Sequence, residues 1–92
     1  MELEIIRSQI NQLDQELVTL LEKRMELVEQ VTAYKRATGK PVLDSSRETS
    51  VLERVGNLVK KDAYRSTIQA TFRDIMAQSR AYQSSQLMSH EQ

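Results

Sequence analysis

Apolar residues along the first part of the chain recur at alternating steps of three and four: Leu3, Ile6, Ile10, Leu13, Leu17, Leu20, then Leu27, Val31 and Tyr34. That spacing is the seam of a long helix packed against other helices. One position breaks it. Arg24 stands where the pattern calls for a leucine, so its guanidinium must find a partner or serve a ligand. The segment Glu2 to Ala37 contains no Gly or Pro, and a helix of that length would run about 50 Å. A 92-residue globule should have a radius of gyration of about 12 Å. The rest of one chain cannot cover such a helix, and a second copy is the economical cover.

Thr38-Gly39-Lys40-Pro41 stops the first helix, because glycine suits the position after a helix end and proline cannot continue it. "DSSRE" opens a second helix, with Ser45 and Glu48 at capping-box spacing. Val51, Leu52, Val55, Leu58 and Val59 form its apolar stripe, which Gly56 interrupts. Lys60-Lys61-Asp62 is expected to close it. A third helix is predicted from Ala63 to Ser84, with Ile68, Phe72, Ile75 and Met76 facing inward. The pattern therefore predicts an all-α domain over 1–84, one long helix and two shorter ones forming an intertwined homodimer. Residues 85–92 read as a polar, frayed tail.

Composition narrows the class. Thirteen basic residues balance thirteen acidic ones, which argues against a nucleic-acid binder. The absence of cysteine removes disulfides and thiolate chemistry. The acidic, amphipathic start "MELEIIRSQI" is unlike a secretory leader, and no apolar run is long enough for a membrane span. A cytoplasmic protein without membrane or nucleic-acid partners is expected.

Polar residues then appear on inward faces. Continuing from Phe72 and Met76, the third helix's inner stripe reaches Ser79 and Gln83. Lys35 follows Arg24 by eleven residues, a net rotation of only about 20° and a rise of about 16 Å, so the two cations share a face. Asp44, Arg47 and Glu48 lie where the loop after Lys35 enters the second helix. A compact bundle would bring these groups together. Arg7 lies about 25 Å from Arg24 along the same helix and about 100° around it. It can reach such a cluster only from a partner chain. Taken singly, each residue has a plainer role: Arg24 as a register-fixing ion-pair partner, Lys35 as a surface lysine, Ser45 and Glu48 as a cap. The convergence of three helices favours a site.

The set is rich in cations and hydrogen-bond donors, which suits a small dianion, since arginine offers carboxylates a planar fork. No histidine stands beside a nucleophile; His90 falls in the tail. No ligand spacing for zinc or calcium is present, nor a glycine-rich phosphate loop. No cofactor or metal is expected.

The stretches "IIRSQINQLDQELVTLLEKRMELVEQVTAYK", "GKPVLDSSRETSVLERV" and "FRDIMAQSRAYQ" together resemble the all-helical, AroQ-type chorismate mutases. The "LD…LLxxR…VxxxK" spacing followed by "PVxDxxRE" carries the resemblance. It implies an isomerase that converts chorismate to prephenate by a Claisen rearrangement, in phenylalanine and tyrosine biosynthesis. It further implies that Arg24 and the partner chain's Arg7 clamp the substrate carboxylates, and that Lys35 and Gln83 donate to the ether oxygen. Glu48 would accept from the ring hydroxyl, Asp44 would act mainly through its backbone, Ser79 would help hold a carboxylate, and Arg47 would bind the substrate or organise the others. Val31 and Met76 would be apolar walls. Two other readings remain: isochorismate pyruvate lyase activity on the same scaffold, and a non-catalytic helical interaction or regulatory module. A complex with another shikimate-pathway enzyme is a further expectation.

Overall fold

The structure, a computed structural model, describes residues 2–90, with side chains to residue 88. Helix α1 spans Leu3–Thr38, α2 Ser45–Leu58 and α3 Arg65–His90, with a short 3-10 turn at Asp62–Tyr64 before α3. No strand occurs among the described residues. The all-α, three-helix reading holds. No helix among them is long and apolar enough to cross a membrane.

Helix α1 ends as its sequence dictates. Gly39 takes a left-handed conformation (φ 74°) and its N–H donates to the Lys35 carbonyl, a position where other residues would be strained. Other boundaries shift. Helix α2 stops at Leu58, before the lysine pair expected to close it, and α3 runs to His90, past the expected end at Ser84. Residues 91 and 92 of the expected tail, and the His90 side chain, lie outside the described residues.

Helix α3 packs against both α1 and α2, which make no packing contact with each other among the described residues. The intrachain core is small: Val51, Val55 and Met76, flanked by Leu52, Ile68 and Phe72. On α1 the buried residues are Val28 and Thr32, whereas the heptad-like seam points elsewhere. Leu3, Ile10, Leu13, Leu17, Leu20, Leu27, Val31 and Tyr34 are all exposed. The chain measures 55 × 26 × 15 Å with a radius of gyration of 16.4 Å, well above the ~12 Å of a compact globule this size. A row of large apolar side chains is thus left facing water along most of a long helix.

Gly56 marks the close approach of α2 and α3. A Cβ there would lie 2.4 Å from the Gln69 Nε2, which donates to the Leu52 carbonyl at 2.9 Å. Arg65 Nε donates to the Gly56 carbonyl beside it. The glycine weakens α2 locally but lets the Gln69 amide cross to it. Gly56→Ala should therefore not yield the ~1 kcal/mol that helix propensity alone offers, because it displaces a hydrogen bond worth about as much. In a Gln69→Ala background the same change should stabilise by about 1 kcal/mol. Chemical denaturation at fixed protein concentration measures both.

Candidate active site

Because α1 and α2 are held apart by α3, a cavity of about 280 Å³ opens where all three approach. Its lining includes Arg24, Val28, Val31 and Lys35 from α1, and Val42 and Asp44 from the loop. Arg47, Glu48 and Val51 enter from α2, and Met76, Ser79, Arg80 and Gln83 from α3. Seven of the eight sequence-expected site residues meet there, as do the expected walls Val31 and Met76. Arg7 does not. It is exposed on the first turns of α1 and pairs with Glu4 at 3.1 Å.

The Arg24 guanidinium answers the question its position raised. Its Nη1 donates to Ser79 Oγ at 2.8 Å, and Ser79 in turn donates to the Ile75 carbonyl at 2.9 Å. The serine proton is engaged within its own helix, leaving a lone pair for the arginine. Arg24 is thus oriented by a neutral, buried partner (Ser79 is 6% exposed), and among the described residues no carboxylate neutralises it. A register-fixing ion pair is not what this position holds.

Lys35 sits on the α1 turn before the glycine stop. Its Nζ donates to the Val42 carbonyl at 2.6 Å, which ties the loop to α1 and leaves two ammonium hydrogens uncommitted. Gln83 is 6% exposed, and its Oε1 is buried with no hydrogen-bond partner among the described residues. A buried amide oxygen without a partner is costly, and only a hydrogen-bond donor, such as a hydroxyl or a water, would relieve it.

The start of α2 differs from its sequence reading. Asp44, not Ser45, is the N-cap, and its side chain accepts from the Arg47 N–H at 3.0 Å. Glu48 is therefore free of the capping-box role. It pairs with Arg80 of α3, whose Nη1 contacts both carboxylate oxygens. The Arg47 guanidinium lines the cavity with no partner of its own among the described residues.

Four cations and two carboxylates line the space. With Glu48 paired and Asp44 engaged in its cap, Arg24, Lys35 and Arg47 keep their charge for an occupant. Away from the cavity lining, the Tyr82 hydroxyl donates to Glu29 at 2.6 Å. That hydrogen bond, more than burial or the nearby charge, raises the phenol above its usual value of 10.0. It joins α3 to α1 outside the cavity lining.

Sequence reading missed Arg80. It lies four residues after Met76 and three before Gln83, on the stripe that exposed Ser79, so the signal was present in the helical period.

The pattern of the chorismate mutase type II family matches residues 6–84. The chain belongs to that family. Among curated relatives, a bifunctional chorismate mutase/prephenate dehydratase of Buchnera aphidicola (subsp. Schizaphis graminum) is 41% identical over 56 residues, covering 61% of this chain and 14% of that protein. The T-protein of Haemophilus influenzae is 44% identical over 48 residues, covering 52% of this chain and 13% of that protein. The chain thus corresponds to a small part of each. No solved structure gives a significant match. For a chorismate mutase type II chain, the cation-lined cavity between its three helices is the place to seek the chemistry.

Proposed function

We propose that this chain is a chorismate mutase, converting chorismate to prephenate within aromatic amino-acid biosynthesis. One observation carries the reading: three cations without a carboxylate partner among the described residues converge on one cavity in a chain of this family. The substrate carries two carboxylates, and the lining has a formal excess of two positive charges. The reaction is unimolecular. It needs the substrate folded into a chair-like near-attack shape and donors fixed where negative charge gathers on the ether oxygen.

In this reading Arg24, already oriented by Ser79, clamps one carboxylate, and Ser79 can turn its hydroxyl from Ile75 to help. Lys35 and Gln83 donate to the ether oxygen. Glu48 accepts from the ring hydroxyl, Asp44 contributes through its backbone, and Arg47 closes the anionic end. The functional unit is 1–84, with 85–92 as a tail.

The protein acts as an intertwined homodimer in the cytoplasm, with Arg7 of one protomer completing the other's site. The unpartnered apolar row of α1 supports this, because a second long helix is what such a row fits. Within its own protomer Arg7 has only an exposed pairing with Glu4, a contact worth little and easily exchanged. A complex with another enzyme of the pathway is compatible with this arrangement.

Incubating the purified protein with chorismate tests the function. Stoichiometric formation of prephenate is expected, with a KM that rises with ionic strength because the ligand is a dianion. Consumption of isochorismate with release of pyruvate, in the absence of prephenate formation, would replace this reading.

A further inference from the structure

Glu48 presents a difficulty that the proposed chemistry does not resolve. A carboxylate that lines a cavity built for a dianion repels the ligand it is meant to help hold. Its surroundings explain how it is tolerated. Arg80, one turn after Met76 on α3, places Nη1 on both Glu48 oxygens, and the pair is largely shielded, with side-chain exposures of 34% and 24%. The two residues, with Met76, line both the main cavity and a second groove that Leu43, Leu52 and Arg73 help to form.

We infer that Arg80 is a positioning residue for Glu48: the guanidinium, anchored on α3, holds the α2 carboxylate in place and offsets its charge, so that it can accept a hydrogen bond from the bound substrate. Arg80 itself does not touch the reacting atoms. The role rests on the function proposed above. Three features of the pair support it. A single Nη1 engages both oxygens, which fixes the carboxylate's rotation about its last bond. The contact spans two helices 32 residues apart in sequence, so it sets the orientation of Glu48 relative to Ser79 and Gln83 on α3. And Asp44, which caps α2 itself, frees Glu48 from local helix duties.

The groups facing Glu48 define what happens without Arg80. Arg24 and Lys35 approach from α1, Arg47 and Asp44 from the start of α2, and Arg73 from α3. In the bound state Arg24, Lys35 and Arg47 are occupied by the substrate's own carboxylates and ether oxygen. Glu48 would then face anions without a dedicated cation, and nothing on α3 would hold its carboxylate toward the substrate hydroxyl.

The test is a double-mutant cycle on the full chain with chorismate as substrate, using Arg80→Met, Glu48→Gln and the double variant. Arg80→Met should lower kcat/KM about tenfold. Arg80→Met should cost little more in the Glu48→Gln background, because the arginine acts only through that carboxylate. Arg80→Lys should recover part of the loss, since it restores charge without the planar fork; it also serves as the readout if the methionine variant does not fold. Multiplying penalties, or an Arg80→Met enzyme with wild-type kcat/KM, would overturn the positioning role while leaving the proposed function standing. A wild-type protein with no chorismate turnover would overturn both.

Discussion

Lys35→Ala should lower kcat by two orders of magnitude or more, about 3 kcal/mol of transition-state stabilisation. The expectation follows from where the ammonium is held. Lys35 lies on the last turns of α1, four residues before the left-handed Gly39 that ends the helix. Its Nζ is fixed by the Val42 carbonyl at 2.6 Å, with hydrogens left to point into the cavity. A donor fixed in this way needs no reorganisation when charge develops on the ether oxygen, and that is the condition under which one donor contributes most. Two effects can be separated by kinetics. Loss of the donor should reduce kcat and kcat/KM together, because the interaction matures only in the transition state. Loss of the loop tie to Val42 should instead raise KM by disturbing Asp44 and Arg47 downstream. A folded Lys35→Ala protein with near-normal kcat would remove the lysine from the mechanism.

The second large effect concerns the two arginines of α1. Arg7→Ala and Arg24→Ala homodimers should each be nearly inactive, since each lacks one carboxylate clamp in both sites. Mixed by co-expression, they should regain about a quarter of wild-type activity. Random pairing makes about half of the dimers mixed, and each of those carries one intact site and one doubly damaged one. The prediction depends on geometry. Arg7 and Arg24 sit about 25 Å apart on one rigid helix, Arg7 is absent from the cavity lining, and the apolar row between them awaits a partner. Heterodimers shown to form without any recovery would rule out composite sites.

Much of this was legible in the sequence, for particular physical reasons. The three-four spacing of α1 announced a long helix, and Arg24 was conspicuous because it set a charge on that otherwise apolar seam. Gly39 marked the stop because few other residues tolerate its left-handed backbone, and Pro41 because it cannot continue a helix. Ser79 and Gln83 emerged because they continued an apolar stripe in polar form. The cap of α2 was misplaced by one residue, since Asp44 and Ser45 both suit an N-cap and the spacing to Glu48 favoured the wrong one. That error also concealed the true partner of Glu48. Pairing between helices depends on their relative rotation, which a single periodic pattern does not specify, so Arg80 read as one more charged helix residue. Gly56 looked like a local weakness. Its reason, the passage of Gln69 across to the Leu52 carbonyl, exists only once α2 and α3 are docked.

The central claim is that a guanidinium oriented by a neutral serine waits, with its charge available, to grip a doubly charged small molecule. Calorimetric titration with a dicarboxylate mimic of the chair-like transition state tests it most directly. Saturable binding at one site per chain is predicted, weakened at least about a hundredfold by Arg24→Ala and reduced by added salt. Absence of saturable binding to the folded wild type, or equal affinity for the Arg24→Ala protein, would contradict it.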